Sequence, residues 1–268
     1  MKLNTLISLI ILNLLTVSYA QSQSYGNISY SEAINIAGKQ RMLSQKISKI
    51  YMMRLNGASK ESTDEEFKAS TRLFNQNLIK LEENSSSSSD KIKQLITEEK
   101  SQWEKFLNKF LLNPTDDVNK LLVLSNGLLD KCKALVSGIE KDASLNISDN
   151  STVKTVNKSG KQRMLSQRLS LYYLASKLNA GKPQLASTQG ALKRTFDEMQ
   201  KSFETLSTNS LNTPEIKTHF ETVKSEYTLI TDNISGFESQ TIDVNKITAF
   251  SNKITSTYNT ITGLYAKL

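Results

Sequence analysis

Apolar residues recur along the chain at intervals of three and four, the period of a helix that buries one side. Ile36, Leu43, Ile47 and Ile50 make a first stripe, and Phe67, Phe74, Leu78 and Leu81 a second. Ile92, Leu95, Ile96, Trp103, Phe106 and Phe110 follow, then Val118, Leu121, Leu122, Leu128, Leu129 and Leu135. The punctuation agrees with four helices. Ser29 and Glu32 form a capping box before the first, and Asn56-Gly57 suits a left-handed cap after it. Ser62 and Glu65 form a second capping box; the serine run 85–89 is too polar and flexible to pack; Asp90 caps a third helix, which Asn113-Pro114 stops. A fourth helix is expected from about Thr115 to Ile139, and a polar linker over 142–150.

After the linker the pattern begins again. A fifth helix is expected to end near Gly181-Lys-Pro183, and a sixth carries Leu192, Phe196, Met199, Phe203 and Leu206. Thr213-Pro214-Glu215 places a proline at the first position of a seventh, which puts Tyr227 where Trp103 lies in the first half. In the eighth, Asp243-Val-Asn-Lys-Ile247 repeats Asp117-Val-Asn-Lys-Leu121. The register drifts by a residue or two per helix, as changes in loop length within a duplicated domain would cause. Short loops make successive helices antiparallel neighbours. The expected fold is therefore all-α: two tandem antiparallel four-helix bundles, 21–141 and 151–268, joined through their first helices as an internal pseudo-dimer. A single longer bundle is the alternative.

One stretch recurs almost unchanged. Asn35-Ile-Ala-Gly38-Lys-Gln-Arg41-Met-Leu-Ser44-Gln45-Lys-Ile-Ser48 is matched by Asn157-Lys-Ser-Gly160-Lys-Gln-Arg163-Met-Leu-Ser166-Gln167-Arg-Leu-Ser170, and the run from Gly38 to Gln45 is identical to that from Gly160 to Gln167. On a helix, Ile34, Gly38, Arg41, Gln45, Ser48 and Met52 lie roughly opposite the core stripe. Val156, Gly160, Arg163, Gln167, Ser170 and Leu174 do the same in the second copy. Apolar ends with a polar middle describe a helix-helix seam with a slot in it, and glycine lets two backbones approach there. Two guanidinium groups facing each other across a seam repel unless something negative sits between them.

Composition changes the picture little. The net charge of +8 is spread along the chain with Lys and Glu interleaved, so it supports mild attraction of anions, with no aromatic-interleaved basic cluster for nucleic acid. Three prolines and ten glycines leave little material for the turns of an all-β fold. Met1-Lys-Leu-Asn, an apolar run from Leu6 to Val17 and Ser18-Tyr-Ala20 read as a secretory signal over residues 1–20, cut after Ala20, which sends the chain to the periplasm or outside the cell. No later segment is apolar enough to span a bilayer. Cys132 cannot form an internal disulfide and its leucine neighbours suggest a buried free thiol. His219 is the sole histidine and is expected to be exposed. No metal spacing, phosphate loop or assembled triad is present, so neither catalysis nor a cofactor is expected.

The repeated stretch resembles the P-box of the periplasmic sensory domains of NarX-type nitrate sensor kinases. Its fuller form, Gly-Lys-Gln-Arg-Met-Leu-Ser-Gln-Arg/Lys, is still closer to the PilJ-type N-terminal domain of chemotaxis-like transducers. In the nitrate sensors two such helices face each other and their Gly and Arg hold nitrate at the dimer axis. By position the resemblance implicates Gly38 with Arg41 and Gly160 with Arg163. Gln45, Gln167, Ser44 and Ser166 could line the same slot or simply bridge neighbouring helices. Lys46 and Arg168 match a second basic position and would steer anions or pair with acids; Met42 and Met164 would pack. This chain differs from the sensor kinases in holding both helices in one polypeptide, and no kinase or methyl-accepting output is expected of it.

The functional expectation is a sensory or binding module that captures nitrate, nitrite or a carboxylate between the two helices and signals through a separate membrane-bound partner. The alternative is a structural or interaction protein of a transducer or type IV pilus system, with the repeated helices as a packing seam.

Overall fold

The computed structural model describes residues 24–111 and 116–268. The expected signal segment and the Asn113-Pro114 stop lie outside them. A two-stranded hairpin, β1 (Ser24–Tyr25) and β2 (Ile28–Ser29), precedes the helices. These are α1 (Tyr30–Leu55), α2 (Lys60–Glu83), α3 (Asp90–Leu111), α4 (Val118–Asn146), α5 (Ser151–Leu178), α6 (Leu185–Ser207), α7 (Pro214–Thr231), the short α8 (Ile234–Glu238) and α9 (Val244–Tyr265). The all-α expectation holds. No described helix is long and apolar enough to cross a membrane.

Caps set most boundaries. The Ser29 hydroxyl accepts from the Glu32 amide at 3.1 Å, and α1 ends at Asn56 before Gly57, whose φ of +95° is one that side chains resist. Thr213 caps α7 with Pro214 at the first turn. Asp117 and Asp243 cap α4 and α9 in the same way, each accepting from the amides two and three residues on. Asp243→Ala should cost about 1 kcal/mol, a cap's usual worth, read as a lower urea midpoint at unchanged slope.

Three expectations need correcting. The cap of α2 is Ser59, which accepts from the Ser62 amide at 3.1 Å, so the helix starts before Ser62. A serine three residues earlier offers the same oxygen, and Ser62 instead bonds back to the Ser59 carbonyl. The fourth helix continues past Ile139 to Asn146, because Ala143 is buried and keeps the apolar stripe going. The residues between α4 and α5 thus reduce to Ile147–Asn150. His219 is half-buried rather than exposed.

Helix α1 packs against α2 and α4, and α3 completes that set against α4. Helix α5 packs against α6 and α9, and α7 joins through α9. The most extensive contact in the molecule is between α1 and α5. Each set has its own aromatic centre: Trp103 stacks on Phe74 at 3.9 Å in the first, and Tyr227 meets Phe203 and Phe196 edge-on in the second. The seam makes α1 and α5 doubly covered, which is why Arg41, Gln45 and Ser48, with Arg163, Gln167 and Ser170, are all buried.

Candidate functional site

The seam places the repeated glycines and arginines together. A methyl group in place of the Gly38 hydrogen would lie 3.0 Å from Arg163 Nη2 and 3.4 Å from Arg41 Nη2. The same addition at Gly160 would lie 2.8 Å from Arg163 Nη2 and 3.7 Å from Arg41 Nη2. Both guanidinium groups therefore converge over both glycines, and glycine is what gives them room. Two unit charges on the order of 6 Å apart repel by ~2–3 kcal/mol at an effective dielectric near 20.

Each arginine reaches across to the asparagine that opens the other copy. Arg41 Nη2 donates to the Asn157 carbonyl at 3.3 Å, and Arg163 Nη2 donates to the Asn35 carbonyl at 3.2 Å. Beyond that reciprocal pair the two differ. Arg163 Nη1 also donates to Asn35 Oδ1 at 2.8 Å and Asn259 Oδ1 at 3.2 Å, and its Nε to the Gly160 carbonyl at 3.5 Å. Arg41 Nε is buried with no hydrogen-bond partner. Among the described residues neither guanidinium makes an ion pair, although Glu140, which accepts from Asn157 Nδ2 at 2.7 Å, lies close enough to favour the charge on Arg41. Burial pushes Arg41 down to about 10, against the pull of Cys132 and Glu140, and Arg163 down to about 9, helped by repulsion from Arg41. Both stay charged at neutral pH, so the seam holds two desolvated cations that only neutral acceptors solvate.

The other expected residues lie on the same helices but face their own halves. Gln45 Nε2 donates to Ser125 Oγ at 3.0 Å on α4, and Gln167 Nε2 to Thr255 Oγ1 at 2.8 Å and the Ser251 carbonyl at 3.3 Å on α9. Ser44 and Ser166 return their hydroxyls to the carbonyls of Arg41 and Arg163. Gln45, Gln167 and Ser166, which also meets Thr255 Oγ1, tie α1 and α5 to the last helix of their own half, while Ser44 bonds within α1. Lys46 pairs with Glu66 at 2.9 Å, while Arg168 lies over the Tyr172 ring and donates to its hydroxyl at 3.0 Å. Met42 and Met164 are buried.

Two buried ionisable groups were missed. Glu99 on α3 is fully buried; the Cys132 thiol donates to its Oε1 at 3.5 Å, and its Oε2 and the buried Gln40 Oε1 lack partners. Desolvation raises its carboxyl to about 8, opposed by the Cys132 thiol and the nearby Gln40 side chain. It falls between Ile96 and Trp103 on the apolar stripe of α3, a signal hidden by its charged neighbours Glu98 and Lys100. Lys49, also fully buried, donates to Asn252 Oδ1 at 2.7 Å on α9, and desolvation lowers its ammonium to about 7.

The family model described as the N-terminal domain of type IV pili methyl-accepting chemotaxis transducers, PilJ, matches residues 27–124 and 145–254. Each matched segment begins shortly before one of the two glycine-arginine stretches. No curated protein and no solved structure matches the chain.

Proposed function

The chain belongs to the PilJ family of transducer N-terminal domains, and from that premise we propose that it is an extracytoplasmic sensory module capturing a small oxyanion between α1 and α5. One observation carries the reading: two buried arginines converge over Gly38 and Gly160 and, among the described residues, neither makes an ion pair. An anion seated there would relieve both the mutual repulsion and the desolvation that depresses the two groups. Charge-assisted hydrogen bonds contribute ~1.5–3 kcal/mol each, so a few of them reach micromolar affinity, ~8 kcal/mol. Planar guanidinium forks suit nitrate, nitrite or a carboxylate. Drawing α1 toward α5 would shift one half against the other, a small helix displacement of the kind that signals across interfaces. A separate membrane-bound transducer would read it.

Under the second reading the repeated helices form only a packing seam. What favours it is Arg163, whose donors already meet neutral acceptors. Thermal unfolding separates the two. A ligand bound only by the folded chain raises the midpoint by mass action, ~2.7 kcal/mol at a hundredfold excess over Kd. Nitrate, nitrite or acetate is expected to raise it where equal chloride does not, and Arg41→Ala should remove the shift. No shift with any of the three anions leaves the packing reading.

A further inference from the structure

The two halves are not equivalent at their arginines, and the difference lies in residues outside the repeated stretch. In the register that relates Asp117 to Asp243, Lys133 stands where the second half has Asn259. Gln45 and Gln167 support that alignment, because they bond to Ser125 and Ser251, which the same register equates. Asn259 takes a hydrogen bond from Arg163 and helps close that face of the seam. Lys133 can accept nothing, so Arg41 lacks the equivalent partner. In its place is a cleft of about 420 Å3 between α4 and α5, into which Arg41 faces.

The cleft wall carries five cations, Arg41, Lys133, Lys154, Lys158 and Lys161, against one carboxylate, Glu140. In the register of the repeated stretch the positions of Lys154 and Lys158 are taken in the first half by Glu32 and Ile36. Glu32 is occupied by Lys80 at 2.7 Å, and Ile36 is buried. The pseudo-twofold mate of this basic face carries Arg163 and Lys39 against Glu32, with Ala266 standing where Glu140 does, and so holds far less positive charge. Two of the cleft lysines have acidic company, Lys133 with Asp130 and Lys161 with Glu198. Arg41, which lines the cleft, is 5% exposed and has a buried, unpartnered Nε.

We infer that this cleft is a binding site for a small multivalent oxyanion, a polycarboxylate or a phosphate, held by Arg41 at the floor and by Lys133, Lys154 and Lys158 at the rim. A monovalent planar anion satisfies one fork and leaves Lys154 and Lys158 without a counter-charge. A ligand with two or three charges spans from the buried guanidinium to the ammonium groups, and the volume admits more than a nitrate. Duplication supplies the specificity: one arginine was closed off by an asparagine, and the other was opened to a charged cleft by a lysine at the same place. The site shares Arg41 with the seam proposed above but depends on residues the seam does not use, so the two stand or fall separately.

Calorimetric titration of the whole chain with citrate, inorganic phosphate and nitrate tests the inference. Citrate or phosphate is expected to bind at least tenfold more tightly than nitrate, with an affinity that falls steeply with added salt. Lys133→Asn, which installs the residue of the second half, and Lys158→Ala should each weaken that binding at least fivefold and leave any nitrate affinity within twofold. Both positions are on the surface of formed helices, so folding is checked by an unchanged melting midpoint without ligand. Preference for citrate over phosphate assigns the carboxylate class, and the reverse assigns the phosphate class. The inference is overturned if neither anion binds, or if both lysine variants bind them as the parent does. Nitrate binding lost on Arg41→Ala but indifferent to both lysines would uphold the seam alone.

Discussion

Glu99→Gln is expected to melt on the order of 10 °C above the parent at pH 8 and within a few degrees of it at pH 4. The folded chain holds the Glu99 proton up to about pH 8, whereas an unfolded glutamate releases it near its ordinary value of 4.5. A carboxyl raised in the fold contributes its full stability below the unfolded value and loses it as pH climbs toward the folded one. The loss runs at ~1.4 kcal/mol per pH unit, so the window from 4.5 to 8 accounts for several kcal/mol, and each kcal/mol moves the midpoint by ~2–4 °C in a chain of this size. Glutamine is the neutral shape of the protonated acid. Its amide can donate to the unpartnered Gln40 Oε1 while its oxygen still takes the Cys132 thiol. Equal midpoints for the two chains at pH 8 would show that Glu99 is not the source of an alkaline loss.

Arg163→Ala is expected to cost ~3–5 kcal/mol in urea unfolding, and Arg41→Ala under ~1 kcal/mol. Removing Arg163 strips the donor from the Gly160 carbonyl inside the seam, and from Asn35 Oδ1, the Asn35 carbonyl and Asn259 Oδ1, on a half-buried and an exposed residue. A buried acceptor left unmet costs ~1–3 kcal/mol and one that water can reach costs less, while the void left by a fully buried side chain adds the larger share. Relief of the repulsion from Arg41 returns part of this. Arg41 gives up one described hydrogen bond and the same repulsion, so its loss nearly balances. Equal losses for the two variants would contradict the asymmetry on which the basic cleft depends.

The helical architecture was legible because capping residues and stripes announce themselves locally: Ser29 and Thr213 cap the helices expected to start beside them, whereas Asp117 and Asp243 were legible as a repeat but not as the caps they are. The α2 start was misjudged because Ser59 and Ser62 are both plausible caps and only the fold chooses. Convergence of Arg41 and Arg163 was readable from the repeat, since identical polar runs on two helices imply a shared environment. What decides their separate fates was not. Asn259 and Lys133 lie almost a hundred residues from the arginines they serve, on helices whose surface pattern gives no hint that they face the seam. Glu99 escaped for the opposite reason. It lies on a clear apolar stripe, but a glutamate beside Glu98 and Lys100 reads as solvated until burial is seen.

Only Ile147–Asn150 separate α4 from α5, and that short connection has a consequence for how the protein would respond. A sensor assembled from two subunits gains or loses its interface as it is diluted, and its dose-response curve moves with its own abundance. Here the facing helices share one backbone, so a ligand held between them as proposed would half-saturate the seam at the same concentration in nanomolar and micromolar protein. The tether also frees each copy to mutate without forcing the same change on its mate.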